Sequence, residues 1–195
     1  MVGAGSRTLG PSHASTLLAR DHLAAACEAA GRPQDAIVAL EHSLAEWERT
    51  LGCDHPETLS ARSSLARAHL AAGRQDQAIV LYESTLADRE RVLGPDHPDT
   101  MTARANLAYA YRSADRIALA IPLYEQTLHD YERLMGPDHT NTLTSRANLA
   151  AAYHTMGRRT EAIAVFERTL ADCERYLPPG HPMTQTIREN LEAAR

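Results

Sequence analysis

The sequence contains no lysine, so all twenty of its basic residues are arginines. Without a lysine amine the chain can form neither a Schiff base nor the lysine contact of a P-loop, and both kinds of chemistry are excluded. Acidic residues outnumber basic ones, and the formal charge is −5. This is not the strongly basic balance of a general nucleic-acid or membrane-surface binder. We therefore expect neither nucleic acid nor a membrane as partner.

Cysteines are also few, namely Cys27, Cys53 and Cys173, and no Cys-x-x-Cys spacing occurs. The odd number of thiols predicts a reduced, intracellular protein without a disulfide framework. Residues 1–8 lack the apolar stretch of a signal peptide. No apolar run approaches the roughly 20 residues that a membrane span requires. We predict a cytoplasmic protein in which residues 1–8 form a flexible leader.

The most prominent feature that the sequence does contain is a repeat. One segment begins at Leu9, Leu51, Leu93, Met135 and Leu177, always 42 positions after its previous copy, and reads LGPSHAST, LGCDHPET, LGPDHPDT, MGPDHTNT and LPPGHPMT. Such a period indicates an array of identical supersecondary structures. We assign a single array over 9–195, with repeats at 9–50, 51–92, 93–134 and 135–176 and a final half repeat at 177–195.

Each repeat has the apolar pattern of two amphipathic helices. In the third repeat, spacings such as Leu107 to Tyr111 predict a helix A over 98–114, and the next apolar stripe predicts a helix B over 117–134. No strand alternation occurs. Because one helix pair cannot bury its own apolar stripe, neighbouring pairs have to stack. The pattern therefore predicts an all-α solenoid of antiparallel helix pairs, in which 177–195 is a capping helix.

Residues between the apolar stripes predict where the helices begin and end. The position after helix A requires a left-handed residue, and it holds Gly31, Gly73, Asp115 and Gly157. The aspartate predicts local strain in the third repeat. Asp96 or His97 is placed to cap the helix that starts at Pro98. Pro122 lies inside helix B and is expected to bend it.

Five histidines recur at the start of helix A, namely His13, His55, His97, His139 and His181. They do not predict a metal site, because zinc ligands lie about 2.0 to 2.1 Å from one ion whereas stacked helix axes are about 8 to 10 Å apart. The sequence also has no Gly-x-Ser-x-Gly elbow, no Gly-rich phosphate loop and no nucleophile with an oriented base. We expect no catalytic residue, no metal, no cofactor and no enzyme activity.

Four motifs carry a resemblance to a known family: ANLAYAY at 105–111, ANLAAAY at 147–153, AIPLYEQTL at 120–128 and AIAVFERTL at 162–170. With their 42-residue period they resemble the tetratricopeptide repeats of kinesin light chains and of many bacterial arrays. The resemblance implies a right-handed superhelix whose A helices line a concave peptide-binding groove. It also implies a protein without catalytic activity.

The face of helix A opposite its packing stripe is where the resemblance places a ligand. Small side chains predominate there, and the remaining positions hold Arg67, Asn106, Tyr109, Arg112, Asn148 and His154. Asparagine amides can pair with the N–H and C=O of an extended peptide, and arginines suit carboxylates. We predict an acidic or C-terminal peptide ligand. The alternative is an ordinary solvated face without a ligand, and the first repeat differs because Asp21 and Glu28 take its groove positions.

An arginine also recurs on the packing stripe of helix A, which we call the arginine row: Arg20, Arg62, Arg104, Arg146 and Arg188. A buried guanidinium needs a partner. Two glutamates recur on each helix B, namely Glu41, Glu48, Glu83, Glu90, Glu125, Glu132, Glu167 and Glu174. We predict that they pair with the arginine of the following repeat and hold the array together. The alternative is an arginine row that binds an acidic ligand.

Three functions fit these observations. The first is a scaffold that binds an extended peptide of a partner protein. The second is a sensor or regulatory domain cut from a signal-transduction NTPase or a transcriptional regulator. The third is a module that self-associates end to end through its terminal repeats. We expect Cys27 and Cys173 to be buried, inert thiols and Trp47 and Phe166 to pack between helices.

Overall fold

The computed structural model describes residues 24, 26, 27 and 30–195. Within these residues it contains eight complete helices and no strand. The helices are α1 (Pro33–Leu51), α2 (Pro56–Ala71), α3 (Gln75–Leu93), α4 (Pro98–Ser113), α5 (Ile117–Met135), α6 (Thr140–Thr155), α7 (Arg159–Tyr176) and α8 (Pro182–Ala194). The predicted leader 1–8 and the residues His13, Arg20, Asp21 and Glu28 lie outside the described residues.

The helices alternate between the predicted A and B types. Helix A of the third repeat is α4 and helix B is α5, and each ends within one residue of its predicted end. From α4 to α8 every helix packs against the next, and the A helices also contact each other, α4 with α6 and α6 with α8. The predicted all-α class, an array of stacked helix pairs with a terminal helix, is confirmed.

The chain divides into two compact units, Met1–Asp88 and Arg89–Arg195. In the first unit, a core forms around Ile37, Leu40 and Leu65, and Trp47 packs beside it against Ala61. In the second unit, α5 to α8 share a larger core, which includes Phe166. The interior packing predicted for Trp47 and Phe166 is therefore confirmed.

The ends of helix A have the predicted backbone geometry. Gly73 and Gly157 have φ angles of 71° and 77°, and Asp115 adopts the same left-handed region at 58°. Because an aspartate has a Cβ, this conformation costs it more than it costs glycine. Pro122 lies inside α5 and cannot donate a backbone hydrogen bond there.

Histidine, rather than the preceding aspartate, caps helix A. The Nδ1 atom of His97 accepts a hydrogen bond from the backbone N–H of Asp99 at 3.1 Å. His55, His139 and His181 do the same for α2, α6 and α8. These contacts satisfy one of the free N–H groups of each first turn. The predicted position of the histidines at helix starts is confirmed for these four.

None of the helices in the described part of the chain is long and apolar enough to span a membrane.

Candidate functional site

Two adjacent cavities lie on the side of the second compact unit where the A helices α4, α6 and α8 are exposed. The first, of about 240 Å³, is lined by α4, α6 and Tyr131 of α5. The second, of about 380 Å³, is lined by α4, α6 and α8. Both include Thr144 and Asn148 in their linings. Together they form a continuous lining along three consecutive A helices, which we call the A-helix groove.

Small and short side chains leave the space for these cavities. Ala105 lines the first cavity, and Ala147 and Ala151 line the second. The hydroxyls of Thr102 and Thr144 donate to carbonyls of their own helices at 2.9 and 2.8 Å, so they lie close to the backbone. A chain in the A-helix groove can therefore approach the helices closely.

Two asparagine amides lie half-buried in the A-helix groove. Asn106 lines the first cavity, and Asn148 lines both. Neither side chain makes a hydrogen bond to any residue that the structure describes. Each amide therefore offers two donors and an acceptor oxygen to a ligand. A peptide backbone could therefore pair with both amides without displacing any hydrogen bond within the protein.

Arg112 contributes the positive charge of the second cavity. Its guanidinium lies 5.2 Å from the centroid of the Tyr109 ring, and its buried Nε has no hydrogen-bond partner. Behind it, the Tyr124 hydroxyl is also buried without a partner. Burial raises the pKa of Tyr124, and the charge of Arg112 acts in the opposite direction. Arg112 thus lies over the Tyr109 ring and near the Tyr124 hydroxyl, and it helps to line the second cavity.

The structure brings four of the six predicted groove residues together. Asn106, Tyr109 and Asn148 line the first cavity, and Arg112 joins Asn148 in the second. His154 is exposed near the end of α6 and lines neither of these two cavities. Arg67 is exposed on α2 in the first compact unit.

The two cavities also have lining residues that were not predicted from the sequence. Tyr131 and Asn141 belong to the first cavity, and Met183 and Asn190 belong to the second. Asn190 had a signal in the sequence, because it follows Asn148 by the same 42 positions that separate Asn148 from Asn106. Tyr131 comes from helix B, so no pattern on helix A could indicate it.

The arginine row lies inside the stack. Arg104 and Arg146 are each only 1% exposed, and Arg62 is 8% exposed. Arg104 contacts Glu90 of the preceding helix B at 3.4 Å and Asp130 of the following helix B at 2.7 Å. Arg146 contacts Glu132 at 2.7 Å in the same way and also Asp172. These arginines are thus enclosed between two carboxylates and are not accessible to an acidic ligand.

The first compact unit repeats this arrangement around Arg62, with Glu48 at 3.5 Å and Asp88 at 2.6 Å. Arg188 differs, because no further helix B follows α8 among the described residues. It contacts Glu174 at 2.8 Å, and its side chain is 46% exposed.

Part of the glutamate prediction is wrong. The glutamates that contact the arginine row are Glu48, Glu90, Glu132 and Glu174. Glu125 instead accepts a hydrogen bond from Tyr153, and Glu167 contacts Arg195. The reason is geometric, since Glu125 and Glu167 lie about two helical turns before Glu132 and Glu174, the glutamates that reach the arginine row. The aspartates that complete the arrangement, namely Asp88, Asp130 and Asp172, were not predicted.

The three cysteines lie in different environments. Cys173 is fully buried, and burial raises the pKa of its thiol, so it is the inert residue that was predicted. Cys27 is only half-buried, which corrects the prediction, and Cys53 is exposed. No group of three His, Cys, Asp or Glu residues in the described ranges is arranged to hold a metal ion.

The stacked helix pairs define an α-helical repeat protein. A family model described as tetratricopeptide repeat matches residues 16–90, 76–132 and 115–175. The chain belongs to the tetratricopeptide repeat family. Proteins of this family are typically non-enzymatic scaffolds for protein–protein interaction. No curated protein matches the chain significantly.

Solved structures place the chain among kinesin-light-chain-like repeats. The TPR-like repeats of a Podosopora anserina protein described as a kinesin light chain superpose with a TM-score of 0.82 at 29% identity, covering 96% of this chain and 87% of that chain. BtubC (BKLC) from P. vanneervenii superposes with a TM-score of 0.80 at 22% identity, and the match covers 92% of this chain and 72% of that chain. MamA from AMB-1 gives 0.55 at 22% identity, with 90% of each chain covered. The last two similarities show the fold alone.

Proposed function

We propose that the chain is a scaffold that binds an extended peptide segment of a partner protein in the A-helix groove. The observation that carries this proposal is the pair of half-buried asparagine amides without partners, Asn106 and Asn148, within two adjacent cavities. Amides spaced by one repeat can pair with N–H and C=O groups of an extended backbone that lie about three residues apart. Helices or folded loops offer few free backbone groups for this contact.

The second cavity favours a peptide that carries a carboxylate next to an apolar residue. Arg112 places a guanidinium beside Asn148, and Met183 and Ile187 supply an apolar wall. A guanidinium can bind a carboxylate through two parallel hydrogen bonds. An acidic side chain or a C-terminal carboxylate next to an apolar residue would satisfy both features. We infer that the bound segment carries such a group.

The test uses a peptide selected from a random library for binding to the wild-type protein. Arg112→Glu should lower the affinity for that peptide by about tenfold or more, because a carboxylate of the protein then faces a carboxylate of the peptide. Binding is measured by isothermal titration calorimetry, and circular dichroism verifies that the variant is folded. Asn148→Ala should weaken binding as well, since it removes the amide shared by both cavities.

The matched control is Arg159→Glu, which makes the same change of charge at an exposed position outside both cavities. It should leave the affinity within about twofold of wild type, because exposed and distant charges are screened by salt. Equal losses in Arg112→Glu and Arg159→Glu would show that net charge alone governs binding, and the proposal would then be wrong.

A further inference from the structure

In α6, Tyr153 contacts an acidic and a basic residue of the neighbouring segments. The hydroxyl of the buried Tyr153 donates to Oε1 of Glu125 at 2.6 Å. The guanidinium of Arg158 lies 4.1 Å from the centroid of the Tyr153 ring. Burial and the neighbouring Glu125 raise the pKa of Tyr153 to about 12. A phenol at this position is therefore a neutral donor to a carboxylate.

The first compact unit has a histidine at the equivalent position. His69, Glu41 and Arg74 each precede Tyr153, Glu125 and Arg158 by two repeats, or 84 positions. His69 is 7% exposed, and its buried Nδ1 has no hydrogen-bond partner. Arg74 donates to the side-chain oxygen of Gln34 at 2.5 Å. Glu41 makes no hydrogen bond or ion pair with the described part of the chain.

An open cavity of about 540 Å³ lies beside His69 and Glu41. Glu41 and His69 form part of its lining, and Leu65, Val80 and Leu81 make most of the remaining surface apolar. The two residues that correspond to the bonded pair Tyr153 and Glu125 thus lie at one cavity. An imidazole is shorter than a phenol, so His69 leaves the outer part of the tyrosine position empty.

We propose that this cavity binds a small phenol, whose ring lies against Leu65, Val80 and Leu81 and whose hydroxyl donates to Glu41. The ligand takes the place that a tyrosine side chain fills in α6. The volume lies in the range of about 300 to 1,000 Å³ that is usual for small-molecule sites. A carboxylate that accepts from a hydroxyl forms one of the stronger hydrogen bonds of proteins.

The charges of the lining select a neutral ligand over an anion. Glu41 and Asp76 both border the cavity. Burial and Arg74 lower the pKa of His69, so the imidazole adds no positive charge at neutral pH. An aromatic carboxylate would be repelled, whereas a phenol, with a pKa near 10 as in tyrosine, keeps its proton.

The test is a titration of the whole chain with p-cresol, followed by two-dimensional ¹H–¹⁵N NMR. Saturable shifts of amides in α2 and α3, near Leu65 and Val80, are expected. Toluene, which has the same ring but no hydroxyl, should bind about tenfold more weakly. Glu41→Gln, a change at an exposed residue, should lower the affinity for p-cresol by a similar factor and leave the affinity for toluene unchanged.

Two substitutions exchange the residue types at the equivalent positions 69 and 153. His69→Tyr supplies the missing phenol from the chain itself and should abolish the p-cresol shifts, with folding verified by circular dichroism. Tyr153→His should create a second p-cresol site next to Glu125. Absence of saturable shifts in wild type, unchanged binding to folded His69→Tyr, or equal affinities for p-cresol and toluene would each overturn the proposal.

Discussion

At the scale of single residues, the arginine row shows how a charge can be buried in a helical repeat. Arg104 is 1% exposed because two carboxylates from two different helices share its guanidinium. Taking an arginine out of water is costly unless such partners are present. The period of the arginines and their place on the packing stripe were sufficient to predict the row from the sequence. Asp130 could not be predicted, although its own row has the same period, because only the packing of helix B shows which acidic residue turns inward.

Removal of Asp130 should destabilise the protein more than removal of both partners. Asp130→Ala leaves Arg104 buried with only the longer, 3.4 Å contact to the partly exposed Glu90, and we expect a loss of about 3 kcal/mol in the free energy of unfolding. The double variant Arg104→Met/Asp130→Leu should lose less than about 1 kcal/mol. Urea unfolding measures both values. Asp96→Ala breaks the exposed pair with Arg133 and, as the control, should cost under about 1 kcal/mol.

His69 should make stability depend on pH. Burial and the charge of Arg74 lower its pKa in the folded state, and Glu41 opposes them. The unfolded chain, with a histidine pKa near 6.5, therefore binds a proton more readily. The stability that the neutral His69 contributes is fully present above about pH 6.5, the pKa in the unfolded chain. It is lost as the pH falls toward the lowered pKa of His69 in the folded state.

The measurement is the free energy of unfolding of wild type and His69→Tyr over about pH 5 to 8. The difference between the two proteins removes the effects of the other histidines. Wild type should lose stability relative to the variant as the pH decreases. A difference that stays constant with pH, or grows in favour of wild type on acidification, would contradict this explanation.

At the scale of the helix, the boundaries come from local chemistry. For α4, proline in the first turn at Pro98 and the left-handed position at Asp115 predicted both ends of the helix to within one residue. The choice between Asp96 and His97 as cap could not be made from the sequence, because both residue types precede the proline. The structure selects His97, whose Nδ1 lies 3.1 Å from the N–H of Asp99.

His97→Ala should destabilise α4 by removing this cap. We expect a loss of about 1 kcal/mol, the usual effect of deleting an N-cap side chain. His97→Asn keeps an acceptor at the same place and should retain most of the stability. Thermal and urea unfolding compare the three proteins. If His97→Asn loses as much as His97→Ala, the ring of His97 contributes by packing and the cap is not the cause.

At the scale of the molecule, the period of 42 residues was sufficient to predict the helices and their stacking. The same period placed Asn106, Asn148 and Arg112 on one face, where the structure has the A-helix groove. The cavities themselves could not be predicted, because they depend on Tyr131 from helix B and Met183 from the terminal helix. Gln185, Glu189 and Glu192 of α8 are exposed.

The most direct test of the scaffold function is to locate a bound peptide. Wild-type protein labelled with ¹⁵N is titrated with the library-selected peptide, and the side-chain amide signals of Asn106 and Asn148 are followed by NMR. Binding in the A-helix groove predicts that both amide signals and the Arg112 side-chain signal shift together with one dissociation constant. Saturated binding that leaves these three signals unmoved, with the shifts located on helix B surfaces, would contradict the account.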